Sequence, residues 1–224
     1  MHRRLLLATA ALGAALAVPA AAQARVVEIG QTADQVTPTC PKDCLAVSRT
    51  TGYQAKVGPK RGLMLVPQAG RIVAWSVALG NPSKKQIAFF DDKLGGESVA
   101  QITILRPGEH LRHRVVAQGE QQRLAPYFGT TPQFPLQRSI AVKKGWLVAL
   151  TVPTWAPALA ASLGPDTSWR ASRAKGACED TQAPTTHTAL RTIKQYYCLY
   201  KGARVTYSAT LITTPKPSVP PSKK

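Results

Sequence analysis

Residues 203–212 read ARVTYSATLI. Val205, Tyr207, Ala209 and Leu211 fall on one side of an extended chain, and Arg204, Thr206, Ser208 and Thr210 on the other. A period of two with one polar face marks an antiparallel strand packed on a core from one side. RIVAWSVAL at 71–79 repeats the pattern, with Val73, Trp75, Val77 and Leu79 sharing a face. Working outward, further β-rich runs lie at 63–67, 86–90, 99–105, 112–118, 139–142, 146–152 and 192–200. Turn residues separate them: Gly80-Asn81-Pro82-Ser83, Asp91 to Gly96, and Arg106-Pro107-Gly108. Lys143-Lys144-Gly145 reads as a tight hairpin, with Gly145 free to take positive φ. Helical periodicity is scarce. Short strands with a turn every ten or so residues predict an all-β fold, a single antiparallel β-sandwich of jelly-roll type. Such a pattern does not contain the strand order.

The chain has 224 residues and a net charge of +18. It opens MHRRLLLATAALGAALAVPAAAQA, a basic start, a short apolar run and the small-x-small site Ala22-Gln23-Ala24. This predicts a secretory signal over 1–24 and a mature chain from Arg25, secreted and free of a transmembrane span once cleaved. The folded domain is expected over 25–212. The end, TTPKPSVPPSKK from Thr213, predicts a disordered Pro/Lys tail over 213–224.

A strongly basic balance favours anionic partners. The cations are nevertheless scattered singly or in pairs, such as Lys60-Arg61 and Lys84-Lys85, without the concentrated stripe that nucleic acid requires. No nucleic-acid partner is therefore expected. The four cysteines Cys40, Cys44, Cys178 and Cys198 predict disulfides in an exported chain. Three connectivities exist, and pairing of sequence neighbours favours Cys40–Cys44 with Cys178–Cys198.

Catalytic and metal motifs are thin. Glu109, His110 and His113 form EHLRH; the two histidines are three apart on a turn and strand, so they face opposite sides, among Arg106, Arg112 and Arg114, which oppose a cation. Asp91 and Asp92 in a Gly-rich loop read as turn residues rather than as a Ca²⁺ site. No G-x-S-x-G is present. No metal and no cofactor is expected. An extracellular polysaccharide-active enzyme requires Glu97, Glu109, Glu120 or His110 to converge in one cleft. A structural protein-interaction module instead requires a large exposed apolar patch.

The aromatic residues offer more. In TVPTWAPAL at 151–159, Pro153 and Pro157 flank Trp155. Pro153 ends the strand, because it has no N–H for a central ladder. The bend then holds Trp155 either as a stacking platform or as a plug over the end of the core, and the plug is favoured. Trp169 opens WRASR with Arg170 and Arg173, and guanidinium planes stack well on indole faces. Trp155, Trp169, Arg170 and Arg173 are therefore the expected ligand-binding set.

The segments GRIVAWSVALGNPS, YFGTTPQFPL, SIAVKKGWLVALTVPTWAPAL, WRASR and YYCLYKGARVTYSATL together resemble a group of exported actinobacterial β-sandwich proteins. The resemblance spans most of the chain and implies a secreted jelly-roll sandwich. It brings no activity with it. The functional expectation is a non-catalytic secreted sandwich that binds an anionic or glycan polymer at the cell envelope.

Overall fold

A computed structural model describes residues 23–32, 36–179 and 189–215. Residues 1–22, most of the segment expected as a signal over 1–24, and residues 216–224 of the expected tail lie outside the described residues. The strands are β1 (Val26–Ile29), β2 (Val47–Val57), β3 (Lys60–Arg61), β4 (Gly70–Val77), β5 (Val99–Pro107), β6 (Arg112–Gln118), β7 (Gln122–Arg123), β8 (Gln133–Val142), β9 (Leu147–Ala156), β10 (Leu159–Ala160), β11 (Ser168–Ala171), β12 (Ile193–Gln195), β13 (Cys198–Lys201), β14 (Arg204–Val205) and β15 (Tyr207–Thr213). Among the described residues one α-helix, α1 (Lys84–Leu94), interrupts them. All pairings are antiparallel. The fold is an all-β sandwich.

The small sheet runs β1-β15-β4-β8. Its alternating strands β4 and β15 turn Trp75, Val77, Ala209 and Leu211 inward, each essentially unexposed. The large sheet runs β12-β6-β5-β9-β2-β11-β13, with β3 and β7 attached at its side. Tyr207 ties the layers together, donating its hydroxyl to Val148 O (3.0 Å) on the large sheet.

The large sheet curls into a half-barrel. Tyr53 on β2 and His113 on β6 would stand about 14 Å apart in a flat sheet, with β9 and β5 between them. Their side chains instead meet, Tyr53 Oη lying 3.1 Å from His113 Nε2. Tyr196 packs on both rings, with centroids 5.6 and 5.0 Å away. Tyr196 and Tyr197 are also the only residues between β12 and β13, the two ends of the sheet. A single run, 193–201, thus bridges both edges. The expected strand 192–200 is two strands broken at this crossing.

Inside the curl, polar groups pack beside buried Leu105, Val115 and Ala149. Thr51, Thr151 and Thr103 form a hydroxyl ladder across β2, β9 and β5 at 2.7 and 2.6 Å. This explains why β2 escapes a sequence reading. VSRTTGYQAKV looks like a polar loop, yet Thr50, Thr51 and Gln54 are buried. Gln54 accepts from Val205 N (3.0 Å) and donates to Ser168 O (2.9 Å). Buried polar groups are tolerated when each finds such partners.

Burial holds the His113 imidazole below its ordinary range, and the Arg170 charge adds to the effect. Burial likewise pushes the Tyr53 phenol up to about 12. The unfolded chain therefore binds the histidine proton more readily than the folded one does. The stability contributed by neutral His113 is complete above about pH 6.5 and is lost as pH falls through the window below. Urea midpoints measured from pH 7.5 down to 5 are expected to fall for the parent chain, and His113→Phe is expected to flatten that dependence. Parallel pH profiles for the two chains count against His113 as the sensor.

Several sequence expectations are corrected. Residues 86–90 are helical, not a strand. Ser83 caps α1 through a capping box with Gln86, Gly95 ends it at φ 95°, and Phe90 and Leu94 form its buried side. Asp91 and Asp92 accordingly sit in this helix rather than in a loop. Residues 63–67 form a turn carrying a single bridge, Leu65 to Leu147. Lys143-Lys144-Gly145 is no hairpin, because β8 and β9 belong to different sheets. It is a tight turn between layers, with Gly145 at φ 82°. Pro153 does not end β9. Ser48 pairs with Trp155 and Thr50 with Val152, so Arg49 alone opposes Pro153 and Thr154 in a bulge. A bulge is where a central strand admits proline.

Cys40–Cys44 and Cys178–Cys198 are disulfide-bonded. Among the described residues, no helix is long and apolar enough to cross a membrane. Residues Ala24–Thr214 form one compact unit.

Candidate ligand groove beside strand β13

The four expected binding residues go to three different places. Trp155 is fully buried. Phe90 and Phe128 cover its ring at 4.8 and 5.5 Å. Its indole N–H is shared between Asp91 Oδ1 (2.8 Å) and Gly96 O (3.1 Å). It is a plug, and the stacking platform is not formed. Its role is to hold α1 against the end of β9.

Arg170 and Trp169 are consecutive on β11 and so leave opposite faces of the strand. Arg170 turns away from the small sheet and donates to Tyr196 O (3.2 Å) and Tyr197 O (2.9 Å), fastening the crossing between β12 and β13. The anticipated pairing of Arg170 with an indole face is therefore not made.

Trp169 and Arg173 do share a site. They line a groove of about 440 Å³ with Leu45, Ser48, Tyr200 and Lys201. Trp169 and Tyr200 are register partners on β11 and β13, and their rings lie 4.8 Å apart at 30°. The Trp169 ring lies over Gly52, where a Cβ would come within 2.8 Å of Cζ3. Glycine at 52 thus lets the indole lie flat on the sheet. The Trp169 indole N–H is buried and has no acceptor among the described residues. The Tyr200 hydroxyl donates to Cys178 O (2.8 Å), so the Cys178–Cys198 disulfide anchors one wall. Burial raises the Tyr200 phenol, against the lowering effect of the Arg173 charge. Arg173 is only 2 % exposed and donates to Ser48 O (3.1 Å). It therefore shapes the groove from beneath, while Lys201 and the half-exposed Leu45 stand at its rim.

Tyr200, Leu45 and Lys201 are the contributors that a sequence reading misses. Tyr200 stands two residues from Cys198, and that spacing puts both on one face of a strand. Leu45 and Lys201 carry no local signal, since only the fold brings the start of β2 beside β13.

Of the acids and histidine required by an enzymatic reading, Glu97 and the adjacent Glu109 and His110 stand at opposite ends of β5. Glu97 precedes β5 and pairs with Arg123 at 2.7 Å. Glu109 and His110 follow the same nine-residue strand, about 30 Å further along. Among the described residues, no group of three or more His, Cys, Asp or Glu is placed to hold a metal ion. No family model, curated protein or solved structure matches the chain.

Proposed function

We propose that this protein is a non-catalytic, exported β-sandwich that binds a glycan or anionic polymer of the cell envelope in the groove beside β13. The observation that carries the reading is the Trp169–Tyr200 pair on the groove wall. Tyr200, partly exposed and backed by the 7 % exposed Trp169, offers an aromatic surface in a concave site with a few polar groups, which suits a sugar ring with its apolar face and hydroxyl edges. The large excess of Lys and Arg over Asp and Glu in the chain adds long-range attraction toward an anionic polymer.

Retention on insoluble envelope polysaccharides across a salt series tests this. The parent chain is expected to bind at low salt. Trp169→Ala is expected to weaken retention about tenfold, equivalent to about 1.4 kcal/mol. Lys201→Glu, an exposed change that leaves the core intact, is expected to weaken retention of charged polymers more than of neutral ones. No retention of the parent on any polymer, or retention untouched by both variants, would sink the reading.

A further inference from the structure

The β5–β6 hairpin and β12 carry like charges that form no ion pair among the described residues, with Glu109 in the hairpin turn as the acid on the same hairpin. Arg106 and Arg114 are directly opposite each other in the ladder, and Arg114 is in turn opposite Ile193. Partners across an antiparallel ladder leave the same face, as do residues two apart along a strand. Arg106, Arg112, Arg114 and Ile193 therefore stand together, on the reverse of the face that holds His113 and Val115. Arg106 and Arg112 are exposed, Arg114 partly so, and Ile193 is 48 % exposed. Arg114 donates to Arg191 O (2.8 Å), which brings Arg191 and its neighbour Leu190, 53 % exposed, to the same edge. The ion pairs among the described residues are Lys93–Asp92 and Arg123–Glu97, and neither involves this cluster.

Like charges directly opposite in a sheet are destabilising. So is leaving aliphatic side chains half in water beside them. A soluble polyanion would neutralise the arginines and leave Ile193 and Leu190 as they are. An anionic bilayer meets both needs: its phosphates match guanidinium forks, and its acyl boundary accepts the aliphatics. We propose that this face docks on an anionic phospholipid surface, with Arg106, Arg112 and Arg114 at the headgroups and Ile193 at the acyl boundary. The proposal concerns a face separate from the β13 groove and stands independently of the polymer reading.

Residues Ala24–Thr214 form a compact unit, so the chain can be tested from residue 25. Co-sedimentation is run with vesicles of equal parts phosphatidylglycerol and phosphatidylcholine, with pure phosphatidylcholine vesicles, and with soluble dextran sulfate as competitor. Binding is expected on the mixed vesicles alone. Each arginine near such a surface contributes about fivefold in partitioning, so the triple change Arg106→Gln, Arg112→Gln, Arg114→Gln is expected to weaken it roughly a hundredfold. Ile193→Ser keeps every charge and is expected to weaken vesicle binding while leaving dextran sulfate binding unchanged. That exposed single change, with Arg106→Gln alone, keeps the question open to refutation if the triple variant misfolds. The proposal is overturned by equal binding to both vesicle types, by undiminished binding of the arginine variants, or by indifference to Ile193→Ser. The last outcome would assign the face to a soluble polyanion.

Discussion

Trp155→Ala is expected to lower the free energy of unfolding by about 4 kcal/mol, within the range for truncating a fully buried aromatic. The side chain is unexposed and is the centre of a small separate core with Phe90 and Leu94. Its loss removes the ring contacts with Phe90 and Phe128 and also the N–H that Asp91 and Gly96 accept. Because that core docks α1 on the sandwich, with Gln86 Nε2 donating to Pro41 O (2.8 Å) as a second tie, the damage is expected to be local first. Guanidinium titration measures the total, and hydrogen exchange over residues 84–94 measures the undocking. Asp91→Ala, which removes one acceptor and leaves the ring in place, is expected to cost about 1 kcal/mol. A Trp155→Ala loss below that of Asp91→Ala would contradict the assignment of Trp155 as the helix anchor.

The second large effect is expected from Cys178→Ala with Cys198→Ala. The cross-link spans 20 residues, and closing a loop of that length limits the unfolded chain by about 3 kcal/mol in the chain-entropy view. Cys40–Cys44 spans only 4 residues, and its removal is expected to cost roughly 2 kcal/mol on the same reasoning. The two bridges differ more in consequence than in energy. Cys198 lies on β13, and Cys178 O accepts the Tyr200 hydroxyl. Loss of the longer bridge therefore loosens one wall of the groove as well as the fold. Denaturation midpoints of the two double variants give the ordering, and polymer retention by the folded fraction reports on the wall. A Cys178→Ala with Cys198→Ala midpoint equal to the parent's, with unchanged retention, would show that the longer bridge neither stabilises the fold nor shapes the groove.

The membrane-facing proposal and the polymer-binding proposal use different residues, so the variants of one serve as controls for the other. Trp169→Ala is expected to leave vesicle binding intact, and Ile193→Ser to leave retention on glycans intact.

What could be read in the chain beforehand follows from how each segment is buried. Strands β4 and β15 face the core on one side only, so apolar and polar residues alternate in RIVAWSVAL and ARVTYSATLI. Strand β2 is buried on both sides by partners on β9, β11 and β14, and its threonines and Gln54 are satisfied across the sheet. Its polarity is thus a property of its neighbours, and no periodicity reveals it. Helix α1 did leave a local signal in Ser83 and Gln86, a capping box, and in Ile87, Phe90 and Leu94 at helical spacing. The β-branched and aromatic content of the region outweighs that signal in a strand reading. Among the binding candidates, Trp169 and Arg173 belong to one groove, but Trp155 and Arg170 do not. Adjacency in WRASR cannot show that consecutive strand residues point to opposite faces until the strand itself is known.

The amino-acid sequence by itself determined an all-β antiparallel sandwich, because alternation is local; it favoured the neighbour pairing of the cysteines, and the structure decided it. The tertiary structure alone decided the strand order, the curl that brings Tyr53 to His113, and the crossing at Tyr196–Tyr197 that joins both edges of the large sheet. Those features depend on contacts between residues far apart in the chain. Such contacts are selected by packing and by hydrogen-bond satisfaction across the sheet, which leave no period in the sequence to read.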